Sequence, residues 1–428
     1  MTTALDEEAD VLQLKQPVAL IMTALLAAAC TATDTPTLTP SPTSISGSPA
    51  ASPSSSTDSP GDIGPLVPSV APDRGYEQEL GQSRVSTSGW KTDFSRHTVP
   101  FREISSNIRR DGIPSVDDPK YATFGEADGW LADVEPVIAL DINGQARAYP
   151  LQIMTYHEIV NDVVGGVPVA ATFCPLCNSA LVFDRRLGDK LFTFGVSGNL
   201  RNSDLIMWDR QTETWWQQLT GEAIVGELAG NQLTYITATI TSWGDFKAAF
   251  PEGDVLSRET GFSRPYGSNP YVGYDRADNP PFLFNGELDG RLLPKDHVVA
   301  TTVGDTDVAF PFRVLEVERA VNYSSGGQDI VVFFQPGTTS ALGSSLIVNS
   351  RDIGSTGVFD PRVDGRKLTF SLNGGRIVDD QTGSQWNVLG QAVNGELQGS
   401  RLREVLHGDH FWFAWAAFKP ATVIYQGN

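Results

Sequence analysis

Residues 149–180 read YPLQIMTYHEIVNDVVGGVPVAATFCPLCNSA, and residues 310–341 read FPFRVLEVERAVNYSSGGQDIVVFFQPGTTSA. The two stretches align without a gap, and they share an aromatic-Pro start, an asparagine, a glycine pair, a proline and a closing Ser-Ala. A similarity that recurs at a constant offset over this length indicates an internal duplication. We therefore expect the folded part of the chain to contain two copies of one structural unit.

The similarity continues beyond these stretches. FDRRLGDKLFTF from Phe183 matches FDPRVDGRKLTF from Phe359, and WGDFKAAFP from Trp243 matches WFAWAAFKP from Trp412. We assign repeat one to residues 135–251 and repeat two to residues 295–428. Residues 73–134 then form an N-terminal arm, and residues 252–294 form the connection between the repeats.

Each copy has the same predicted layout. The pair Asn143-Gly144 indicates a hairpin, Pro150 suits the first turn of a short helix, and Gly165-Gly166 indicates a second hairpin. Short β-rich runs follow, and each copy closes on one helix that Pro251 or Pro420 ends. The predicted fold is α+β and strand-dominated, with two tandem pseudo-repeats of hairpins plus a closing helix, packed about a pseudo-twofold axis.

The N-terminal residues predict export. Residues 15–30 read KQPVALIMTALLAAAC, in which a basic residue precedes an apolar run too short to span a bilayer comfortably. The ending before Cys30 resembles a bacterial lipobox, so residues 1–30 are predicted to be a lipoprotein-type signal peptide with Cys30 as the lipidated residue. The acidic start is atypical, and translation from Val11 or Leu12 would remove it. A plain secreted protein and a retained membrane anchor are the alternatives.

The segment after Cys30 predicts a tether. Residues 31–72 are mostly Ser, Thr, Pro and Ala, a composition that cannot bury enough apolar surface to order itself. We predict an extracytoplasmic protein, lipid-anchored to the cell membrane by this linker, or secreted if the lipobox is not used.

Bulk composition limits the partners. The 428 residues are 40% hydrophobic and carry a net charge of −20, with 51 acidic and 31 basic residues. This charge disfavours nucleic acid as a partner, because its binding needs a basic surface. No small-molecule or protein partner is indicated. The three cysteines, Cys30, Cys174 and Cys177, are too few for a disulfide scaffold.

The duplication also separates structural from chemical residues. Residues that occur in both copies, such as Trp216 and Trp386, are expected to be structural. Residues that occur only in the first copy and have reactive or metal-ligating side chains are candidates for function. They are His157, Glu158, Cys174 and Cys177. Their counterparts in the aligned second copy are Glu318, Arg319, Gln335 and Thr338.

Cys174-Pro-Leu-Cys177 follows one strand-like run and precedes another. A strand–CPxC–strand arrangement is typical of a metal-binding turn, whereas a redox CxxC usually opens a helix. If Gly165-Gly166 is a two-residue turn, the strand register places His157 directly opposite Cys174. We therefore predict a soft-metal site at His157, Cys174 and Cys177.

The other histidines receive different predictions. His407 and His410, in the sequence HGDH, either complete the metal site from the second copy or belong to a helix start in which Asp409 is the cap. His97 and His297 are predicted to be surface residues. A ligand pocket is predicted from polar residues beside aromatics; its candidate residues are Glu158, Asn202, Asp204, Arg210 and Trp216.

The strings YHEIVNDVVGGVPVAATFCPLCNSALVFDRR, SGNLRNSDLIMWDRQTETWWQQLTGEAI and HGDHFWFAWAAF resemble an uncharacterised prokaryotic family catalogued as domain of unknown function 3179. The similarity begins near Asp111 and covers about three quarters of the chain. The family is typically exported, which agrees with the leader. The resemblance implies no activity.

Three functions remain open. The first is binding of, or redox chemistry on, one Cu or Zn ion at the His/Cys-x-x-Cys site. The second is thiol–disulfide exchange by Cys174 and Cys177 with His157 as the tuning group. The third is a ligand-binding or structural module in which the two cysteines form a permanent disulfide. Whether the protein is an enzyme stays undecided.

Overall fold

The computed structural model describes residues 64–427. The predicted signal peptide, its lipidated Cys30 and the first part of the predicted linker lie outside these residues. Within the described residues, no helix has both the length and the apolar character needed to cross a bilayer. Strands dominate the fold, with 39% strand against 12% helix, and they form several small sheets. The predicted strand-dominated class is therefore confirmed.

Helices are short and lie mostly after hairpins. In chain order they are α1 (Tyr76–Gly81), α2 (Phe124–Ala127), α3 (Leu151–His157), α4 (Trp243–Ala249), α5 (Phe312–Glu318) and α6 (Trp412–Phe418), with 3-10 turns at Phe101–Glu103 and Ile347–Asn349. The helix predicted after Pro150 is confirmed as α3, and the two closing helices end just before Pro251 and Pro420 as α4 and α6.

The first group of strands lies before residue 257. They are β1 (Ile104–Ser106), β2 (Tyr121–Ala122), β3 (Pro136–Ile142), β4 (Gln145–Pro150), β5 (Ile159–Val164), β6 (Val167–Cys174), β7 (Ser179–Asp184), β8 (Arg186–Leu187), β9 (Lys190–Leu191), β10 (Phe194–Arg201), β11 (Asp204–Asp209), β12 (Trp215–Gln217), β13 (Ala223–Val225), β14 (Tyr235–Ile236), β15 (Thr239–Ser242) and β16 (Asp254–Leu256).

The remaining strands lie in the second repeat. They are β17 (His297–Val303), β18 (Thr306–Pro311), β19 (Ala320–Ser325), β20 (Gln328–Gln335), β21 (Ser355–Asp360), β22 (Arg362–Val363), β23 (Arg366–Lys367), β24 (Phe370–Asn373), β25 (Arg376–Asp379), β26 (Gln385–Trp386), β27 (Ala392–Asn394), β28 (Arg403–Glu404), β29 (His407–Phe411) and β30 (Val423–Ile424).

Strand orders correspond between the halves. In the first half the sheets run β15-β3-β4-β16-β2, β14-β7-β6-β5 and β1-β10-β11-β12-β13, with the ribbon β8-β9. In the second half they run β29-β17-β18-β30, β28-β21-β20-β19 and β24-β25-β26-β27, with the ribbon β22-β23. From β3 to β6 and from β17 to β20 the element bounds also recur at the offset of the aligned sequences.

The ungapped match is wrong beyond Gln335. Residues 175–178 alone separate β6 from β7, and Cys174 pairs with Ser179. In the second half, residues 336–354 separate β20 from β21, and Gln335 pairs with Ser355. The matching Ser340-Ala341 therefore lies in an inserted loop, and Thr338 is not the structural counterpart of Cys177. The tight turn between β6 and β7 is specific to the first half.

The two halves share one core. The largest buried apolar cluster combines the cysteine strand β6 with β17, β29 and α6 of the second half. Trp412 at the start of α6 is fully buried in it, and the Phe411 amide donates a 2.9 Å hydrogen bond to the Cys177 carbonyl. Burial of large aromatic surface is the main stabilising contribution here. The second half therefore supports the cysteine turn directly.

Candidate metal site

The cysteine turn is a compact loop between two central strands. Cys177 N donates to the Cys174 carbonyl at 3.1 Å, Asn178 N donates to the Pro175 carbonyl at 3.3 Å, and Asn178 has a φ of 50°. The predicted strand–CPxC–strand arrangement is confirmed. Such a turn directs both sulfurs to one side.

A neighbouring hairpin supplies a carboxylate to the same place. Asp204 is the first residue of β11, directly after a turn in which Asn202 and Ser203 have φ values of 52° and 67°. One ligand atom each from Cys174, Cys177 and Asp204 lies within 4.8 Å of the others. All three residues are buried, at 2%, 0% and 0% exposure. The structure therefore contains a buried group that could hold a metal ion.

Hydrogen bonds hold Asp204 in place but leave half of its carboxylate without a partner other than the two thiols. Oδ2 accepts from Gln217 Nε2 at 2.5 Å and from the Leu219 amide at 2.9 Å. Oδ1 is buried, and within the described residues its carboxylate has no further hydrogen-bond donor except the thiols of Cys174 and Cys177. A buried acceptor without a partner costs about 1–3 kcal/mol. A cation beside the two sulfurs would satisfy it.

Burial shifts the proton equilibria of the whole group toward the neutral forms. It raises the pKa of both thiols and raises the pKa of Asp204 to about 6. Glu158, which is also buried, has its pKa raised to about 8 by burial and by the nearby Asp204 charge. Without a cation the two thiols and Glu158 retain their protons at neutral pH, whereas Asp204 is mostly ionised. Metal binding would therefore release protons.

The cysteines are free thiols in this structure. A thiolate is the reactive form in disulfide exchange, and reactive cysteines are partly exposed with a lowered pKa. Both features are absent at Cys174 and Cys177, which are buried with a raised pKa. The arrangement fits metal binding better than redox cycling.

His157 lies elsewhere. The predicted hairpin register is confirmed from the Val164–Val167 pair to the Ile159–Thr172 pair. His157, however, ends helix α3, and Glu158 turns the chain with a φ of 59°. The prediction that His157 lies opposite Cys174 on a strand is therefore wrong, because helix α3 extends to His157 and strand β5 begins only at Ile159.

Both ring nitrogens of His157 have partners outside the cysteine group. Nδ1 lies 2.7 Å from the Pro114 carbonyl, which can only accept, so Nδ1 donates. Nε2 lies 2.6 Å from the Tyr266 hydroxyl and accepts from it. Burial lowers the pKa of His157 to about 4. The residue is a buried neutral connector between the arm and the connecting segment.

The HGDH histidines lie on a strand. Residues 407–411 form β29, which pairs with β17, and α6 begins only at Trp412. The prediction that Asp409 caps the helix with His410 in its first turn is therefore wrong, because strand pairing extends the segment. Asp409 accepts a 2.6 Å hydrogen bond from Thr356 instead.

Neither histidine of β29 joins the three-residue group. His407 Nδ1 lies 2.7 Å from the Val405 carbonyl, and the ring of His410 stacks on Trp415 at 5.2 Å between centroids. Strand β29 contacts the cysteine turn through the hydrogen bond from the Phe411 amide to the Cys177 carbonyl. The metal-ligand role predicted for His407 and His410 has no geometric support.

The predicted surface position of His297 is wrong. The residue is only 8% exposed, and its ring contacts Phe312 and Phe411. Its Nδ1 lies 3.5 Å from Nδ2 of the Asn178 side chain, and Asn178 directly follows Cys177. His297 therefore packs behind the site as a core residue.

Other predicted pocket residues are structural. Trp216 is fully buried and donates from Nε1 to Asp209 at 2.9 Å, and Trp386 makes the matching 3.0 Å bond to Asp379 in the second half. Arg210 pairs with Asp117 at 3.0 Å. The recurrence of the Trp–Asp bond in both halves agrees with a structural role for Trp216.

The connecting segment covers the site. Tyr274 donates from its hydroxyl to the Leu176 carbonyl at 3.2 Å, and Ser203 donates to the Phe282 carbonyl at 2.6 Å. These two contacts tie residues 252–294 to the cysteine turn and to the turn that carries Asp204. The segment therefore excludes bulk water from the sulfurs.

The model of one protein family, described as "Protein of unknown function (DUF3179)", matches residues 110–422. The chain belongs to this family. No curated protein and no solved structure matches it. The DUF3179 region contains the three grouped residues and the segment that covers them.

Asp204 was predicted from sequence only as a pocket residue, and one comparison within the DUF3179 region could have placed it with the cysteines. Strands β10 (Phe194–Arg201) and β11 (Asp204–Asp209) are longer than their counterparts β24 (Phe370–Asn373) and β25 (Arg376–Asp379). The extra length of the first hairpin carries Asp204 to the cysteines. A length difference between the copies is thus as informative as a residue difference.

Proposed function

We propose that this protein binds one thiophilic metal ion with Cys174, Cys177 and Asp204 as its ligands, and that this ion is Zn²⁺. The observation that carries the proposal is the buried convergence of two thiols with a carboxylate whose Oδ1 has no partner except those thiols. An unsatisfied buried acceptor is rare in native proteins. It is therefore a reason to expect a cation.

The carboxylate favours zinc over copper. Two thiolates suit Cu(I) and Zn(II) alike, but a carboxylate oxygen is a ligand that zinc accepts readily and Cu(I) does not. Three protein ligands also match the number in zinc sites that keep one position open. Glu158, whose charge acts on Cys174, is the nearest candidate to interact with whatever fills that position.

The second candidate function is thiol–disulfide exchange. The pairing of two free thiols in a CxxC turn favours it, whereas their burial and raised pKa weigh against it. A permanent disulfide, the third interpretation, has the least support because the structure contains no Cys174–Cys177 bond.

The correspondence of strand orders supports the pseudo-repeat architecture as part of this proposal. In our interpretation two tandem copies pack about a pseudo-twofold axis, the first copy holds the metal and the second supports it. The supporting contacts are the shared core and the bond between Phe411 N and the Cys177 carbonyl.

Metal content tests the function. Protein purified under reducing conditions without chelator is expected to contain one equivalent of zinc that the Cys174→Ser/Cys177→Ser variant lacks, because the cysteine ligand set forms a single site. Elemental analysis and titration of the chelator-treated protein against a competing indicator provide the measurement. If the protein takes up no metal but shows a reversible dithiol couple and reduces insulin, thiol exchange is the function instead.

We also propose that the protein is exported and anchored to the membrane by a lipid on Cys30. The tether would be the part of the predicted linker before residue 64, because Val67 and Val70 already bond to Asn231 and Ala229 of the body. Radioactive fatty acid should label the wild type, whereas Cys30→Ala should abolish labelling and release the body from the membrane fraction, because only the thiol of Cys30 would carry the lipid. The matched control is Cys174→Ser/Cys177→Ser, which should still be labelled. Unchanged labelling of Cys30→Ala would contradict the anchor.

A further inference from the structure

The N-terminal arm contains a second cluster of ligand-type side chains, outside the family region. One atom each from Asp73, Glu79 and His97 lies within 4.8 Å of the others. The three residues come from three successive parts of the arm: its start, helix α1 and the loop before the 3-10 turn at Phe101–Glu103. They are exposed to half-buried, unlike the cysteine group.

The tautomer of His97 is determined by its surroundings. Nδ1 lies 2.9 Å from the Val99 carbonyl, and a carbonyl can only accept, so Nδ1 carries the proton. Nε2 is then the ring nitrogen that is available to bind a metal ion. This nitrogen is buried and forms no hydrogen bond with the described residues, in a side chain that is 11% exposed.

That nitrogen faces negative charge. Nε2 lies 3.4 Å from Asp73 Oδ2, and Glu79 completes the cluster. The other contacts of the two carboxylates are to backbone amides: Asp73 Oδ1 accepts from Gly75 N at 2.8 Å, and Glu79 Oε1 accepts from Phe101 N at 2.8 Å. Positive charge among these three groups, carried either by a proton on Nε2 or by a metal ion, would offset the repulsion between the two carboxylates.

We propose that Asp73, Glu79 and His97 bind a divalent metal ion of the class that accepts imidazole and carboxylate together, such as Zn²⁺ or Mn²⁺. A histidine that ligates a metal through one ring nitrogen usually donates a hydrogen bond from the other to a carbonyl or a carboxylate. Nδ1 of His97 makes such a bond to the Val99 carbonyl. The ion would link the start of the arm to α1 and to the loop at His97.

The location suggests a mechanical role. The residues just before Asp73 already contact the body, since Val70 N donates to the Ala229 carbonyl, and His97 forms a β-bridge with Val225. An ion at the cluster would therefore add a further link between the start of the arm and the loop that pairs with the body. This inference is independent of the cysteine site and of the lipid anchor.

The experiment uses the full chain with Cys174→Ser/Cys177→Ser, which removes the first site. After chelator treatment and dialysis, this protein should bind one equivalent of Zn²⁺ by calorimetry, and Zn²⁺ should slow tryptic cleavage after the exposed Arg84. Asp73→Asn and Glu79→Gln should each weaken binding at least tenfold and remove the protection. The matched control, Asp93→Asn, removes an arm carboxylate outside the cluster and should change neither.

Co²⁺ titration of the wild type covers the case in which the double cysteine variant fails to fold. A second equivalent that binds without adding a thiolate charge-transfer band, and that Asp73→Asn abolishes, supports the arm site. A missing charge-transfer band with the first equivalent would speak against the cysteine site alone. Absence of the second equivalent, or its persistence unchanged in both Asp73→Asn and Glu79→Gln, overturns the proposal and leaves a protonated His97 paired with Asp73.

Discussion

Cys174→Ser is expected to weaken Zn²⁺ binding by more than about 100-fold, with Cys177→Ser having a similar effect. The loss of a partner that only supports a ligand already costs about 10–100-fold in metal affinity, so the loss of a thiolate ligand must cost more. Serine occupies nearly the same volume, and both positions are buried, so the fold should tolerate the change. Competition titration against a zinc indicator measures the effect.

Gln335→Ser is the matched control for this experiment. Gln335 ends strand β20 as Cys174 ends β6, and it donates to Asp245 at 2.7 Å rather than to the cysteine group. Its replacement should leave zinc affinity unchanged. If Cys174→Ser bound as many zinc equivalents as the wild type and with the same affinities, the cysteines would not be the ligands.

Asp204→Asn is expected to separate affinity from stability. It should weaken zinc binding by more than about 100-fold, because an amide is a neutral and weaker ligand than a carboxylate. It should also stabilise the metal-free protein at pH 7 by about 2–3 kcal/mol, since a pKa raised from 3.8 to about 6 makes ionisation of Asp204 unfavourable in the folded state. The amide oxygen can still accept from Gln217 and Leu219.

The sign of this effect sets its pH dependence. A carboxyl with a raised folded-state pKa binds its proton more tightly in the folded than in the unfolded protein. Its stability penalty is therefore absent below about pH 4, grows between pH 4 and 6, and is complete above pH 6. Denaturant unfolding of metal-free protein at pH 4 and pH 7 should show a difference between Asp204→Asn and wild type only at pH 7.

Asp209→Asn is the control at the other end of the same strand. Asp209 accepts from Trp216 Nε1, from Gln211 N and from Thr212 N, so an amide there must turn its NH2 group toward a donor. We expect a loss of about 1–3 kcal/mol in the free energy of unfolding with zinc affinity unchanged. If Asp204→Asn destabilised the metal-free protein as Asp209→Asn does, the carboxylate at 204 would be a structural residue.

Several predictions from sequence were confirmed because they depend on local chemistry. The glycines and asparagine at 143–144 and 165–166 adopt the left-handed backbone that tight hairpins need, and Pro150 precedes a helix because its φ suits that position. The CPLC turn lies between strands because apolar β-branched runs flank it. Each of these features involves neighbours in the chain.

The errors arose where local and distant pairing compete. The predicted strand register extends two positions beyond the observed Ile159–Thr172 pair to reach His157, but helix α3 occupies that residue. The HGDH segment was assigned to a helix start, but β17 pairs with it across more than a hundred residues. No local sequence pattern distinguishes the N-cap of a helix from a strand whose pairing partner lies far away in the chain.

The sequence by itself determined the similarity between residues 149–180 and 310–341, the turns and the helices after the hairpins. It also identified Cys174 and Cys177 as candidate metal ligands. Only the tertiary structure decided their third partner. Asp204 reaches the sulfurs because hairpin β10–β11 lies across the cysteine turn, and the same packing places His157 against Tyr266. Turn chemistry acts between chain neighbours, whereas a metal site needs side chains from distant segments to converge, and that convergence follows from the packing of whole sheets.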